Sequence, residues 1–240
     1  MDADVQATIK DDEIKINDTI NSESNNNKSI NLNGIIYLTI KKIIDIIGAL
    51  IGCIFLVPLT LLIWIANIIV KDNGPVFYVQ KRIGQNGKTF LMYKYRSMIV
   101  DADRKLKRYL LDNPEASAEF KKYRKLKDDP RITPIGKFIR KTSLDEFPQF
   151  INVLKGDMSL VGPRPYLPRE RRAMKNDYKE IIKVKPGLTG PWQVNGRSEI
   201  SMEERIKMDV EYTKECSLLR DIKYLFKTIL KIFKSDKGAV

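Results

Sequence analysis

Apolar and polar positions are spread very unevenly along this chain. The first 33 residues, including "NDTINSESNNNKSINLN", are polar, with scattered isoleucines and more acids than lysines. That composition predicts a disordered tail over residues 1–33. It is not a signal peptide, because the basic n-region is missing and the apolar segment comes too late. Then comes "IIDIIGALIGCIFLVPLTLLIWIANIIV", with no charged residue from Ile46 to Val70. A helix needs about 20 apolar residues to cross a bilayer core, and buried core helices are usually shorter and amphipathic. A membrane helix is therefore predicted within residues 34–72. Pro58 sits near its middle, where it removes a backbone donor and clashes with the carbonyl of Ile54. Two shapes fit. One is a kinked span, and the other is a broken, re-entrant helix that returns to the face it entered. Lys41 and Lys42 precede the run, and Lys71, Lys81 and Arg82 follow it. Positive charge on both flanks fits a return to the same side better than a crossing.

The pattern changes again beyond residue 73. In "PVFYVQKRIGQNGKTFLMYKYRSM" two alternating runs flank Asn86-Gly87, the preferred type I′ turn, which predicts a β-hairpin. Residues 101–126 are charged with helical spacing, interrupted at Pro114. Gly136–Lys141 and Leu144–Leu154 read as helices. "KPGLTGPWQVNGR" (Lys185–Arg197) reads as loop with one short strand. Residues 201–215 read as helix. The segment "LLRDIKYLFKTILKIFK" (Leu218–Lys234) gathers Leu218, Leu219, Ile222, Leu225, Phe226, Ile229, Leu230 and Phe233 on one face, and Arg220, Lys223, Lys227, Lys231 and Lys234 on the other. Such a basic amphipathic helix either lies in a membrane interface or packs its stripe on the core, and the lack of acids on its polar face favours the membrane. The expected fold is α+β and mainly helical. A membrane-embedded N-terminal broken helix precedes a cytosolic catalytic domain over 73–235, with a β-hairpin and interfacial amphipathic helices, and a short tail covers 236–240.

Composition narrows the chemistry. Lys and Arg total 43 against 30 Asp and Glu, for a net charge of +13, and there is no histidine. That excludes an imidazole base, a Ser-His-Asp triad and His metal ligands. Cys53 and Cys216 are too far apart for a zinc cluster and read as free thiols in a reducing compartment. The basic surplus lies in the C-terminal part, where it suits an anionic inner leaflet or substrate phosphates. Nucleic acid is not an expected partner, because no helix-turn-helix, zinc-finger or RNP pattern is present.

The remaining polar feature is "TSLDEFPQF". Asp145 and Glu146 are adjacent, and Arg140, Lys141 and Lys155 flank them. Locally, two acids at a helix start are most simply a match to the helix dipole, with Ser143 as cap. The cations add another reading. A carboxylate at a helix N-terminus among cations is expected to be depressed in pKa and ionised. That suits a nucleophile toward phosphorus or a Mg²⁺ ligand, and an Asp nucleophile needs no histidine.

The stretches "QKRIGQNGKTFLMYKYRSM", "TPIGKFIRKTSLDEFPQFINVLKGDMSLVGPRP" and "VKPGLTGPWQVNGR", together with the Pro58 segment, are similar to the bacterial sugar transferases of the monotopic phosphoglycosyl transferase family. The resemblance runs from about Tyr37 to Ser235. It implies transfer of a sugar 1-phosphate from a UDP-sugar to undecaprenyl phosphate with release of UMP, as the first membrane step of polysaccharide or glycoprotein glycan assembly. It implies Asp145 as the nucleophile and Glu146 as a catalytic Mg²⁺ ligand. Lys94, Arg96, Arg140 and Arg164 would hold phosphates. Pro163 and Pro165 would flank Arg164 in the "GPRP" substrate site, and Asp157 would be a recurrent acid of that site without an assigned role. It further implies a re-entrant segment broken at Pro58, although Val57 stands where Ser commonly precedes that proline. The expected form is the compact catalytic one, on the cytoplasmic face of the inner membrane, and galactose or glucose is the favoured sugar. A homodimer is left open. The competing reading is a membrane-anchored basic adaptor without catalysis.

Overall fold

A computed structural model of the chain describes residues 3–123, 126–195 and 200–233. The chain divides into two units, Met1–Ile43 and Ile44–Val240. The backbone is helical from Ala3 to Ile69 as α1. The tail expected to be disordered over 1–33 is therefore helical from residue 3 on. No proline or glycine precedes Gly34 to stop a helix. In the first unit the described side chains include exposed Ile35, Ile36, Leu38 and Ile43.

In the second unit, α1 presents one buried face. Ala49, Leu56, Ile63 and Asn67 are buried there. The 3.6-residue period places Asp45, Gly52 and Thr60 on the same stripe. The stripe works by close approach: Gly48 lies on Leu160 and Gly52 on the ring of Phe150, where a Cβ would collide. Asp45 Oδ1 accepts from Ser159 Oγ at 3.0 Å and from the Leu160 N–H at 2.8 Å. The other faces expose Ile47, Ile51, Ile54, Val57, Leu62, Ile65 and Ile69. The segment is thus apolar on every face but buried on only one. Within Gly34–Ile69 it is long and apolar enough to cross a membrane. The helix continues through Pro58. Beside the proline, Thr60 Oγ1 donates to Leu56 O at 2.7 Å and shares a 2.6 Å bond with the hydroxyl of Tyr95, which also reaches Leu56 O at 3.3 Å.

The β-hairpin forms as expected. β1 (Phe77–Ile83) pairs antiparallel with β2 (Thr89–Tyr95). Asn86 and Gly87 both have positive φ, 57° and 75°, and Lys88 N–H bonds to Gln85 O at 3.2 Å, as a type I′ turn requires. Helices α2 (Ala102–Asp112) and α3 (Pro114–Tyr123) meet at Asn113, one residue before the proline read as an interruption. Next, α4 (Pro134–Lys141) starts at Thr133, whose side chain accepts from Gly136 N–H. The expected helix over Leu144–Leu154 is split. A 3-10 turn covers Leu144–Glu146, and α5 spans Gln149–Leu154. Pro148 lacks the N–H that a continuous helix needs.

The one short strand expected within Lys185–Arg197 forms, and it pairs in parallel with a segment not read as strand. β3 (Ser159–Val161) aligns with β4 (Gly187–Thr189). Between them lie a 3-10 turn at Pro168–Glu170 and the one-turn helices α6 (Arg171–Met174) and α7 (Tyr178–Ile181). After β4 come α8 (Pro191–Asn195), α9 (Met202–Lys214) and α10 (Leu218–Phe233). The end of the "KPGLTGPWQVNGR" stretch and the 236–240 tail lie outside the described residues. The cores are built from distant segments. Ala49 of α1, Met92 of β2, Val153 of α5, Leu160 of β3 and Tyr212 of α9 share one cluster. Leu56 and Ile63 share another with Tyr95 and Ile139. The last helix packs Tyr224 and Leu225 inward and buries Asp221, yet leaves Leu219, Ile222, Phe226, Ile229 and Leu230 exposed.

Candidate active site

Asn152 brings the acid pair and the hairpin together. It is fully buried on α5; its Oδ1 accepts from Tyr93 N–H at 3.0 Å and its Nδ2 donates to Leu91 O at 2.7 Å. These bonds lock α5 along β2. The turn just before α5 then meets Lys94, one residue on from Tyr93. Ser143 gives that turn its direction. It adopts a left-handed conformation, φ 57° and ψ 18°, and makes no capping bond to the turn. For a residue with a side chain this conformation costs about 1–2 kcal/mol, and such strain often marks a functional turn.

Lys94 Nζ lies 2.9 Å from Glu146 Oε1 and 3.7 Å from Asp145 Oδ2. The Arg140 guanidinium comes from the end of α4, where its Nε donates to Ser97 Oγ at 2.8 Å, and its charge acts on Asp145. The expectation of a depressed Asp145 is not met. Burial pushes its carboxyl above the ordinary aspartate value. Lys94 opposes that, Glu146 adds to it, and Arg140 opposes it again. Desolvation outweighs the cations because the side chain is only 16% exposed. Lys94 is the converse case: burial pulls its ammonium down, but Glu146 and Asp145 outweigh burial and hold it above the ordinary lysine value.

The second part of the site is the turn over Gly162–Tyr166. Gly162 N–H bonds to Thr189 O at 3.0 Å, and Pro163 O accepts from Gly187 N–H at 2.8 Å. Pro165 O accepts from Arg82 Nη1 at 2.9 Å, and Tyr166 O from Ile83 N–H at 2.9 Å. The two prolines thus act by rigidity and by their carbonyls. The turn projects the Arg164 guanidinium over the indole of Trp192 at 5.4 Å, and Arg205 lies over the same ring at 4.8 Å. Arg82 bridges the two parts, because both Arg164 and Glu146 act on its charge. Burial first, then Arg164, lowers its pKa to about 10.

The expected site residues therefore divide. Lys94, Arg140, Asp145 and Glu146 converge, and Arg164 sits on its rigid turn. Arg96 is used elsewhere. Its guanidinium binds Asp72 Oδ1 at 2.9 Å, Pro75 O at 2.5 Å and Met98 O at 3.0 Å, which fastens the chain leaving α1. One donor on each of its three nitrogens goes to an internal acceptor and the residue is buried, so Arg96 serves here as a structural tie and not in the expected phosphate role. Asp157 accepts from Asn152 Nδ2 at 3.3 Å and lies 3.8 Å from Lys155, which places it behind the hairpin lock. The sequence reading missed Arg82, Trp192, Arg205 and Asp209. Asp209 had a signal: it is a lone acid on the stripe of α9 that buries Ile206 and Tyr212. Among the described residues no group of three or more His, Cys, Asp or Glu is placed to hold a metal. The Asp145–Glu146 donor set instead fits Mg²⁺ shared with substrate phosphates, since Mg²⁺ commonly takes one or two carboxylates plus phosphate oxygens.

A sequence profile of the family "Bacterial sugar transferase" matches residues 36–235. The chain belongs to the bacterial sugar transferase family. This transferase is 44% identical over 197 residues to an undecaprenyl-phosphate galactose phosphotransferase of Salmonella typhimurium, covering 82% of the chain and 41% of that protein. It is 47% identical to the galactosyl transferase CpsE of Streptococcus agalactiae, over 85% of the chain and 44% of that protein. With the exopolysaccharide production protein ExoY of Sinorhizobium fredii it shares 41% identity, over 79% of the chain and 83% of the relative. The chain thus spans about two fifths of the length of the first two relatives.

Proposed function

We propose that this transferase moves a sugar 1-phosphate from a UDP-sugar to undecaprenyl phosphate, giving undecaprenyl diphosphate sugar and UMP. The observation that carries this reading is the half-buried Asp145 carboxyl, 3.7 Å from Lys94, within reach of the Arg140 charge and next to Glu146. An Asp145 oxygen attacks the sugar-bearing phosphorus of the diphosphate. The bond from that phosphorus to the bridging oxygen breaks, and UMP departs with the bond electrons. This leaves the phosphosugar on Asp145 as an acyl phosphate. An oxygen of undecaprenyl phosphate then attacks the same phosphorus, and the carboxylate is released. Neither step requires a base, in keeping with a chain that has no histidine. Arg140 and Lys94 stabilise the charge that spreads over the phosphoryl oxygens, and Arg164 grips the diphosphate of the donor. Glu146, with Asp145 beside it, would hold Mg²⁺, which when bound neutralises diphosphate charge.

The faces of α1 and α10 support a membrane placement. The contacts of α1 with the catalytic domain run from Asp45 to Ile63, about 27 Å of helix at roughly 1.5 Å per residue. That matches the hydrocarbon core, roughly 30 Å thick. A straight span would therefore pull the catalytic domain into the bilayer. We infer that both ends of the segment lie on the cytoplasmic side and that the helix, continuous here through Pro58, bends at that proline in the bilayer, where the Thr60 and Tyr95 hydroxyls supply the polar neighbours that Val57 does not. The exposed apolar stripe of α10 lies in the same interface, and the basic domain faces anionic headgroups. The product pathway is exopolysaccharide, capsule, O-antigen or glycoprotein glycan assembly, with a hexose such as galactose or glucose as the sugar.

The test is the identity of the nucleotide product. Full-length protein in membranes is given a panel of UDP-sugars, undecaprenyl phosphate and Mg²⁺. UMP release with one of them supports the reading. UDP release would make it an ordinary glycosyltransferase, and no turnover with any donor would leave the adaptor reading. Topology is tested in a background lacking native cysteines. Cysteines placed at Ile46 and Asn73 should both resist an impermeant reagent in intact cells and react in opened ones. Labelling of one alone from outside would show a true span.

A further inference from the structure

The turn that carries Arg164 is held by backbone bonds to β1 and β4 and by the Arg82 side chain, and one side remains. On that side stands Asp209 of α9, fully buried. Its Oδ2 accepts from the Arg164 backbone N–H at 3.2 Å and from the Tyr166 hydroxyl at 2.8 Å. Its Oδ1 is buried with no partner among the described residues. A buried carboxylate with an unmet oxygen is destabilising by itself. Burial pushes this carboxyl up to about 7, against the opposing Tyr166 and Arg164 bonds. A group whose sole task was to fill space would be better served by an apolar side chain.

The neighbours of Asp209 all lead to one place. Arg164 and Tyr166 are the two residues on either side of Pro165. Tyr166 lies under Arg164 at 5.9 Å from its guanidinium, and burial and Asp209 push its hydroxyl up. Arg205, on α9 with Asp209, stacks on the same Trp192 ring as Arg164. Glu170 lies 3.7 Å from Arg164 Nη2 and anchors Leu167 N–H at 2.7 Å. Tyr224 approaches from α10. Asp209 thus fixes both the backbone from which Arg164 springs and the ring beneath it.

We propose that Asp209 is a positioning residue for the substrate diphosphate: by accepting from Arg164 N–H and Tyr166 O–H it aims the Arg164 guanidinium, and it acts on substrate only through that arginine. This inference rests on the reaction proposed above. It predicts a change in donor binding with chemistry largely spared. In Asp209→Asn the KM for the UDP-sugar rises about tenfold, the scale of one hydrogen bond to a charged group, while kcat stays within a few-fold. Tyr166→Phe removes one of the two bonds and moves KM in the same direction by less.

The decisive comparison is a double-mutant cycle with Arg164→Ala, on full-length protein in membranes, with UDP-galactose as donor, or UDP-glucose where that is the sugar turned over. Once the arginine side chain is absent, Asp209→Asn should change KM no further. A purely structural role would leave the two effects additive, and additivity overturns the proposal, as does an unchanged KM in the single variant. Where Asp209→Asn does not fold, the same cycle with Tyr166→Phe decides it by the same criterion. A wild-type protein that releases no UMP would overturn the reaction itself, whereas a wild type that turns over with an additive cycle overturns only the role of Asp209.

Discussion

Lys94→Met removes the ammonium that lies 2.9 Å from Glu146 and 3.7 Å from Asp145. It leaves two neighbouring carboxylates in a half-buried site with Arg140 as the nearest cation acting on Asp145. At an effective dielectric of about 20, unit charges at the Asp145 separation attract by about 4 kcal/mol. A third of that is already about tenfold in the ionised fraction. Burial holds Asp145 above its ordinary value and Lys94 opposes it, so the substitution raises the aspartate further. In the proposed reaction Asp145 attacks in its ionised form, so the acidic limb of the rate profile for UMP release should move to higher pH. At pH 6 the loss should be tenfold or more, with partial recovery toward pH 9. Lys94→Arg, which keeps the charge, should retain the wild-type position of the limb. The assay is the initial rate of UMP release from pH 5.5 to 9 at saturating donor. A uniform drop with an unchanged limb would refute the reasoning, because Lys94 would then act on substrate and not on the ionisation of Asp145.

Asn152→Ala leaves Tyr93 N–H and Leu91 C=O without their buried partner and should cost about 2–3 kcal/mol in urea unfolding of the detergent-solubilised protein; a loss below about 0.5 kcal/mol would show that the hairpin is held by other contacts. Asp209 has a folded value of about 7, above its ordinary 3.8. Its contribution to stability is therefore full below pH 4 and is lost as pH rises through about 7, so Asp209→Asn should flatten the fall in melting temperature between pH 4 and 7. An equally steep fall in the variant would assign it to other groups. Leu219→Glu with Phe226→Glu should lift α10 from the bilayer while α1 stays embedded, read as lost quenching by brominated lipid of a fluorophore at Ile222. Undiminished quenching would place that stripe elsewhere. Glu146→Gln should weaken the Mg²⁺ dependence of turnover, since an amide replaces a carboxylate ligand, and an unchanged metal requirement would remove Glu146 from that role.

Much of this arrangement was legible because it is local. The charge-free run around Pro58, the Asn86-Gly87 turn and the stripe of α10 each announce themselves within a few residues. So does the dyad, because an acid pair among cations stands out in a basic chain. Its electrostatics were not legible. Flanking cations suggested a depressed Asp145, but burial decides the sign, and burial comes from α5, β2 and α4 closing around the turn. The same holds for Arg96. The resemblance implied that it holds phosphate with Lys94, yet strand β2 ends at Tyr95 and Arg96 turns to Asp72. The β3–β4 pair joins residues 28 apart in three-residue strands, too short for alternation to register. Pro148 was visible and was passed over, although it is what divides the helix after the dyad. Asp209 shows the limit most clearly, since nothing near it in sequence names Arg164, 45 residues away.

The central claim is that Asp145 carries the phosphosugar between the two substrates. Stoichiometric full-length protein is mixed with a UDP-sugar labelled in the sugar-bearing phosphate, with Mg²⁺ and without undecaprenyl phosphate, then quenched rapidly. The account predicts about one UMP per enzyme and protein-bound label that hydroxylamine releases, with neither seen in Asp145→Asn, and ping-pong kinetics once lipid is restored. Absence of trapped label together with intersecting initial-rate lines would contradict it and put both substrates on the enzyme at once.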